Sequence, residues 1–277
     1  MLERLLPAVE RYSLSMTNSI LTETTAAVRE VGAWLVERHR AEPVAARTRD
    51  EALAAFAAID GPAAALLRER LTALRPQAGW VAEELDSAVP VDGEWWLCDA
   101  TDGAVQYLLG QPHWAVTATL LRDGEAVLAV VHAPLLGFTY TAARGEGAWL
   151  NERLVSPSTR ELAAAVVATS QPPTVGRDPA ALRRAGSSLT AVLSGGVLAV
   201  RNLGPTALQV AQVGSGHLDA FWEFGLDGPN LLPGALIASE AGALVTDHSG
   251  APWLPHASAG FLAAPRGQHA ELVRLLG

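Results

Sequence analysis

Two aspartates after a hydrophobic segment are the residues best suited to chemistry in this chain. Asp99 and Asp102 follow the apolar residues 95–98, and Glu83 and Glu84 lie upstream. Carboxylate oxygens bind hard divalent cations such as Mg²⁺, which usually shares its site with a substrate phosphate. The pattern therefore predicts a metal-assisted phosphate site. Aspartates at the end of a strand also form ordinary turns, which is the alternative interpretation of this segment.

Composition restricts the classes of function. The chain has 277 residues, of which 49% are hydrophobic and 18% are charged, so we expect a globular protein with a sizeable core. The net charge of −9 argues against a nucleic-acid partner or an acidic membrane surface. All 20 basic residues are arginines, which excludes Schiff-base chemistry on lysine.

The location expected from the sequence is the cytoplasm. Cys98 is the single cysteine, so no internal disulfide is possible, and this fits a reducing compartment. The first residues do not resemble a secretory signal. The longest uncharged apolar stretch, residues 126–143, contains Pro134 and Gly137 and alternates like strands, so it does not predict a membrane helix.

The N-terminal part predicts two helices followed by a β-rich block. Residues 18–40 have helical periodicity, with Thr17 or Asn18 as a possible cap. Residues 51–74 predict a helix interrupted near residues 60–62, where Asp60 would cap the second piece ahead of a proline. Strands are predicted at residues 95–98, 114–121, 126–131, 138–142 and 148–150, with Asp123-Gly124 as a hairpin turn.

Strands and helices alternate in the C-terminal part. Residues 165–169, 197–201 and 243–246 predict strands, and residues 206–214 and 231–241 predict helices. Residues 172–173 and 187–196 are expected to be loops. This alternation favours an α/β layered structure.

Four ordered motifs have the types and spacing of a known family. They are the paired glutamates 83–84, residues 99–104 (DATDGA), residues 145–151 (GEGAWLN) and the stretch from FWE at 221–223 to SEAGA at 239–243. Together they resemble the inositol monophosphatase family of Mg²⁺-dependent, lithium-sensitive phosphatases, over about residues 15–270. The resemblance implies an α/β (α+β) fold, the layered αβαβα sandwich of this phosphatase type. It also implies an N-terminal lobe in residues 1–150, a C-terminal lobe in residues 151–277, and a homodimer.

The same resemblance implies a set of metal ligands. Glu83, Asp99 and the backbone carbonyl of Thr101 would hold one Mg²⁺, and Asp99 and Asp102 would hold a second. The position of a further metal-binding aspartate in the family is occupied here by Asn230. Because an asparagine oxygen brings no charge, and ligand charge tunes cation affinity, the second Mg²⁺ is expected to be weak or absent.

The remaining roles implied by the resemblance concern catalysis and substrate. The catalytic residues would be Asp60, Glu83 and Asp102, with Asp60 helping to organise the attacking water. The substrate-binding residues would be Gly103, Ala104, Thr206 and Glu223. The backbone amides of Gly103 and Ala104 would open a helix and suit a phosphate. Ala104 also replaces the family's threonine, and so removes a hydroxyl that helps to orient the water.

Several of these residues have simpler alternative roles. Asn230 would be a good N-cap for the helix predicted at residues 231–241, and Asp227 would then reach the site in its place. Asp60 would also serve as a cap alone. Glu223 lies between two aromatic residues on a predicted strand, so it would face either the site or solvent.

The functional hypothesis is a Mg²⁺-dependent phosphate monoester hydrolase. Its substrate would be a small inositol, polyol or sugar phosphate. Ala104 and Asn230 motivate two alternatives. One is a repurposed family member that catalyses a non-hydrolytic reaction, for example in specialised metabolism, and the other is a catalytically silent binding protein.

Overall fold

The computed structural model describes residues 8–81 and 89–277, with side chains from residue 19 onward. The chain begins with two long helices, α1 (Ala8–Val36) and α2 (Arg49–Leu74). Thr48 caps α2 through a reciprocal pair of bonds, in which its side chain accepts from the Glu51 N–H and the Glu51 carboxylate accepts from the Thr48 N–H. The predicted glutamates 83 and 84 lie outside the described residues.

A seven-stranded sheet follows, and its strands lie side by side in chain order. The strands are β1 (Gly79–Trp80), β2 (Glu94–Asp102), β3 (Ala115–Arg122), β4 (Glu125–Ala133), β5 (Phe138–Ala143), β6 (Ala148–Leu150) and β7 (Arg153–Leu154). All neighbours are antiparallel except β1 and β2. The predicted turn at Asp123-Gly124 is confirmed, and both residues have the positive φ that such tight hairpins require.

A second sheet has five strands in the order β11-β12-β10-β8-β9. The strands are β8 (Val166–Thr169), β9 (Ala199–Arg201), β10 (Ala220–Phe224), β11 (Leu244–Thr246) and β12 (Gly260–Ala264). Helix α3 (Ala104–Leu108) connects β2 and β3 of the first sheet. The helices between and after the strands of the second sheet are α4 (Pro179–Ser194), α5 (Thr206–Gly214), α6 (Gly228–Glu240) and α7 (Arg266–Leu276). Strands β8, β9 and β10 are parallel, whereas β12 runs antiparallel to β10 and β11.

The elements stack in five layers. Buried residues of α1 and α2 pack on one face of the seven-stranded sheet. Helices α5 and α6 pack on its other face and also on the five-stranded sheet. Helices α4 and α7 cover the outer face of the second sheet. This is the expected αβαβα arrangement, while the division into lobes at residue 150 stays a prediction.

Three local expectations are wrong. Helix α1 already runs through residues 17 and 18, so neither residue caps its start. Helix α2 continues through Pro62, so Asp60 is an interior residue and not a cap. Residues 187–194 belong to α4, which buries Ala181, Ser188 and Val192 against the second sheet. Tertiary packing outweighs the low helix propensity of serine and glycine there. No helix within the described residues is long and apolar enough to cross a membrane.

Candidate active site

An irregularity at the end of β2 positions the two predicted metal-binding aspartates. Asp99 lies opposite Thr117 of β3, whereas Asp102 lies opposite Ala115, so β2 contains one extra residue between them. The Oδ1 atom of Asp99 accepts a 2.6 Å hydrogen bond from the Thr101 N–H, which stabilises this bulge. A bulge re-aims side chains at the edge of a functional site. The two carboxylates lie close enough for Asp99 to raise the pKa of Asp102 by repulsion.

Asp102 also meets the start of α5. Its Oδ1 accepts from the Thr206 N–H at 3.0 Å, and its Oδ2 accepts from the Leu208 N–H at 3.2 Å. The first amides of a helix have no partners within the helix, and a carboxylate there is favoured by the helix dipole. Burial nonetheless raises the pKa of Asp102 well above its usual value. Asp102 therefore joins the first sheet to the middle helix layer.

Asp60 contacts Thr101, which lies between Asp99 and Asp102 in the sequence. The Thr101 hydroxyl, which is buried, donates to Asp60 Oδ1 at 3.0 Å. Burial raises the pKa of the Asp60 carboxyl, and the hydrogen bond from Thr101 lowers it. The interior of α2 thus contributes a carboxylate beside the bulge, and Asp60 is not a helix cap.

Gly103 makes the turn from β2 into α3. Its φ of 90° is in the left-handed region, and a Cβ there would lie 3.0 Å from the His113 carbonyl oxygen and 3.1 Å from Pro205 Cβ. Glycine is therefore required both for conformation and for space. Helix α3 begins at Ala104, as predicted. The role of these amides toward phosphate stays a prediction.

The predicted substrate residue Thr206 is almost fully buried. Its amide donates to Asp102, and its hydroxyl lies 3.3 Å from the hydroxyl of Ser170, at the end of β8. No local sequence pattern indicates Ser170, because the pairing of β8 with β10 brings it to this place. Whether Thr206 contacts a substrate stays a prediction.

Glu223 and Asp227 complete a buried acidic group. Glu223 on β10 is 0% exposed, so the alternative in which it faces solvent is wrong. Asp227 precedes α6 and is 5% exposed. The two carboxyl groups lie against each other, and burial followed by their interaction raises the pKa of Glu223 well above its usual value. Burial also raises the pKa of Asp227, to about 6.

Asn230 is in the first turn of α6 and does not cap it. The helix begins at Gly228, and the Asn230 Nδ2 atom donates to Asp227 Oδ1 at 2.7 Å. The capping interpretation is therefore wrong, since Asp227 itself occupies the position before the helix. Asp227 was the weaker candidate from sequence, and it lies near enough to Asp102 and Glu223 to affect the pKa of both.

The donor set suits a hard cation. The buried carboxyl groups of Glu223 and Asp227 hydrogen-bond each other, and Asn230 is the one other side-chain donor to them among the described residues. The ion pairs within that part of the chain do not include Asp102, Glu223 or Asp227. No group of three acidic, histidine or cysteine side chains in residues 19–81 and 89–277 is arranged to hold an ion. Mg²⁺ commonly uses only one or two carboxylates and keeps several waters, so the oxygens of Asp99 and Asp102 are the ligands that the described residues would offer it.

Comparison with known proteins agrees with this arrangement. The profile of the inositol monophosphatase family matches residues 17–276. An inositol-1-monophosphatase of Rhizobium meliloti (strain 1021) is 35% identical over 194 residues, which are 69% of this chain and 71% of that protein. A putative Nus factor SuhB of Neisseria meningitidis serogroup B is 32% identical, with 84% of this chain and 88% of that protein covered.

A solved structure shows the same fold. The extragenic suppressor protein suhB from Bartonella henselae superimposes with a TM-score of 0.79 and 27% sequence identity, and the match covers 93% of this chain and 98% of that one. Five layers, an irregular β2 end with two aspartates, and a family match over nearly the whole chain lead to one conclusion. The chain belongs to the inositol monophosphatase family.

Proposed function

We propose that this protein is a Mg²⁺-dependent phosphate monoesterase acting on a small inositol, polyol or sugar phosphate. The observation that carries the proposal is the buried group of Asp102, Glu223 and Asp227, none of which forms an ion pair with an arginine or histidine among the described residues. Buried carboxylates without a positive partner are costly, so a site of this kind is suited to a cation. Family membership supplies the phosphatase chemistry, and the substrate class follows from the resemblance.

The ion would be held by oxygen ligands. These are Glu83, Asp99, the Thr101 carbonyl and Asp102, with Asn230 as a neutral contributor. When bound, Mg²⁺ offsets the charge of the phosphoryl oxygens and makes a water more acidic. Asp102 keeps its position because two amides of α5 hold it, so the ligand geometry is set before the substrate arrives.

Asp60 is the residue best placed to act on the attacking water. Its Oδ1 accepts the Thr101 hydroxyl, which orients the carboxylate. Burial raises its pKa, and a base whose pKa is nearer to neutral is better matched to proton transfer. Thr101 thus places a hydroxyl beside Asp60, even though Ala104 has none.

Substrate recognition would come from two further parts of the site. The amides of Gly103 and Ala104 would donate to the phosphate, and Glu223 would accept a hydrogen bond from a substrate hydroxyl. A buried carboxyl whose one partner among the described residues is the Asp227 carboxyl gains from such a hydroxyl, and it rejects analogues that lack one.

Phosphate release tests the proposal directly. Purified protein in millimolar Mg²⁺ is expected to release phosphate from at least one member of a panel of inositol and sugar phosphates. Asp99→Asn should reduce the rate by at least about tenfold because it removes a ligand charge. Asp123→Asn, in the hairpin turn between β3 and β4, is the matched control. Folded protein that releases no phosphate from any member of the panel would contradict the proposal.

A binding role without hydrolysis is the second candidate. A relative that covers 84% of this chain carries the name of a Nus factor, and Ala104 replaces the family's threonine. The double substitution Ala104→Thr with Asn230→Asp separates the candidates. A large gain of phosphate release from an inactive protein would favour the binding role or a repurposed reaction. An unchanged, already substantial rate would favour hydrolysis.

A further inference from the structure

Three amide side chains surround Gly204, where the segment before α5 meets α3. They are Gln106, half-buried on α3, and Gln171 and Asn202, both exposed on the loops that follow β8 and β9. The backbone of Gly204 leads within two residues to Thr206, whose N–H donates to Asp102 at 3.0 Å. The amides therefore lie at the border of the carboxylate group to which the proposed function assigns the cation.

Direct contacts hold these amides around the glycine. Gln171 Oε1 accepts a hydrogen bond from Asn202 Nδ2 at 3.3 Å, and Asn202 Oδ1 accepts one from the Gly204 N–H at 3.1 Å. The amide of Gln106 covers Gly204 so closely that a Cβ on this glycine would overlap it. The φ of Gly204 is 102°, a conformation that glycine adopts without strain. Gln106 and Asn202 therefore contact the same residue.

A second contact places Gln106 near the irregular end of β2. Helix α3 and the segment before α5 also meet at Gly103, because a Cβ there would lie 3.1 Å from Pro205 Cβ. Gln106 follows Gly103 by three residues, which is about 4.5 Å along a helix axis. Residues three apart are neighbours on a helix surface. The Gln106 side chain thus begins about one helical turn from the residues proposed to bind phosphate.

The amides have hydrogen-bonding capacity to spare. A primary amide has two N–H donors and one carbonyl acceptor. The Gln106 amide makes no hydrogen bond to another residue in the described part of the chain, and Asn202 retains one N–H beyond its bond to Gln171. Such groups match adjacent hydroxyl groups, each of which both donates and accepts. Because amides are neutral, they neither repel a phosphate nor pair with the nearby carboxylates.

We propose that Gln106 and Asn202 determine substrate specificity by binding adjacent hydroxyl groups on the part of the substrate away from its phosphate. Gln171 is a positioning residue for Asn202. The inference rests on the proposed function for the presence of a phosphate ester at the site. It adds α3 and the loops after β8 and β9 to the site, through residues that the family resemblance did not assign. A phosphate ester without hydroxyl groups gains nothing from these amides.

The test compares two phosphate esters in Gln106→Met, which keeps the length of the side chain and removes its hydrogen bonds. The first is the inositol or sugar phosphate that wild type hydrolyses best, and the second is p-nitrophenyl phosphate, whose leaving group carries no other hydroxyl. For the first, kcat/KM should fall about tenfold, mainly through a higher KM, because a remote hydroxyl is bound equally in the ground and transition states. For p-nitrophenyl phosphate, kcat/KM should change by less than about twofold.

Two further variants control for effects on the fold. Gln111→Met makes the same chemical change at an exposed residue beyond the C-terminal end of α3 and should behave as wild type. Gln171→Met should raise the KM of the inositol or sugar phosphate by about threefold, since Asn202 loses its orienting partner. An unchanged KM there would contradict the positioning role. In Gln106→Met, an equal loss for both esters, or no loss for either, would overturn the inference.

Binding separates this inference from the proposed function. If wild type releases no phosphate, calorimetry in millimolar Mg²⁺ compares each inositol and sugar phosphate of the panel with inorganic phosphate. Tighter binding of one of these esters, lost in Gln106→Met, would support the inference and contradict the hydrolase. A wild type that binds none of them more tightly than inorganic phosphate would overturn the inference. Phosphate release by wild type, unaffected in Gln106→Met, would support the hydrolase and contradict the inference.

Discussion

The Thr101 hydroxyl and the Asp60 carboxylate form the contact that joins α2 to the end of β2. The 3.0 Å hydrogen bond is largely buried, and it opposes the rise in the pKa of Asp60 that burial causes. Hydrogen bonds to charged groups are stronger than those between neutral groups. One side chain of the bulge therefore affects both stability and the protonation of the proposed base.

Thr101→Val tests this contact with little change in shape. Loss of the donor should cost about 1–3 kcal/mol of unfolding free energy and raise the pKa of Asp60. The acidic limb of the rate profile for phosphate release should then move to higher pH, since the carboxylate is the active form. Urea unfolding and a pH–rate profile measure the two effects. Thr101→Ser, which keeps the donor, is the control, and an unchanged profile in Thr101→Val would contradict the assigned role of Asp60.

Single residues also show what sequence can predict. Asp99, Asp102 and Gly103 were predicted correctly as the end of a strand and the start of a helix, because their types and spacing are local signals. The burial of Asp227 depends on β10 and α6 meeting β2, which are far apart in sequence. A local sequence pattern does not show that these distant elements pack together. The preference of asparagine for N-cap positions favoured a capping role for Asn230, and that role is wrong.

At the scale of elements, α6 is connected to the first sheet at its C-terminal end. Glu240, its last residue, accepts hydrogen bonds from the N–H groups of Gly145 and Gly147 at 2.9 and 3.0 Å. An acidic residue is unfavourable at a helix C-terminus in general, so these two bonds must offset that cost. These hydrogen bonds attach the C-terminal end of α6 to the glycine-containing turn between β5 and β6.

Glu240→Ala is expected to loosen this turn. Removing two charge-assisted hydrogen bonds should lower the free energy of unfolding by about 1–3 kcal/mol, less any gain from the helix dipole. Hydrogen exchange should increase first at residues 144–148. Glu271→Ala in α7, where the glutamate makes only an exposed ion pair with Arg274, is the control and should change stability by less than about 0.5 kcal/mol. Equal exchange rates in both variants would show that Glu240 does not hold the turn.

Long helices were harder to predict in detail than to recognise. The segment 51–74 was identified as helical, but α2 continues through Pro62 and so carries Asp60 in its interior. Helix α4 was missed over residues 187–194, because its serines and glycine suggest a loop. Its Ser188 hydroxyl accepts a hydrogen bond from the Trp222 Nε1–H on β10, and this contact between distant segments is not visible in a local pattern.

At the scale of the molecule, two histidines are neutral in the folded state, namely the partly buried His132 on β4 and the buried His248 in the turn after β11. His132 on β4 lies 3.0 Å from the Thr139 hydroxyl, and His248 lies against Phe224 and contacts the Phe261 carbonyl oxygen. Burial lowers the pKa of both imidazoles from 6.5 to about 4. The unfolded chain therefore binds more protons than the folded chain between these two pH values.

The protein should lose stability as the pH falls. The contribution of each imidazole is fully present above about pH 6.5 and is lost as the pH falls toward 4, at a cost of about 3 kcal/mol each. Urea unfolding at several pH values measures the slope. His132→Asn should reduce the slope over this range, whereas His256→Asn, at an exposed position, should leave it unchanged. A slope in His132→Asn equal to that of wild type would contradict the prediction.

The homodimer and the lobe boundary at residue 150 stay predictions at this scale. The seven-stranded sheet lies within residues 79–154 and the five-stranded sheet within residues 166–264. Light scattering of the purified chain would give its mass in solution. The layer order itself followed from the alternation of strands and helices together with the family resemblance, since each sheet must cover both faces.

Helix α6 has a mechanical consequence. Asp227 precedes its first turn and Glu240 is its last residue, so about 20 Å of rigid helix joins the acidic group to the turn between β5 and β6. A tilt at one end displaces the other as long as the helix stays straight, and Pro233 in its interior is the residue at which it would bend. A ligand that moves Asp227 toward β2 would therefore also shift Glu240 and the N–H groups of Gly145 and Gly147 that bind it, although the ligand itself contacts none of these three residues.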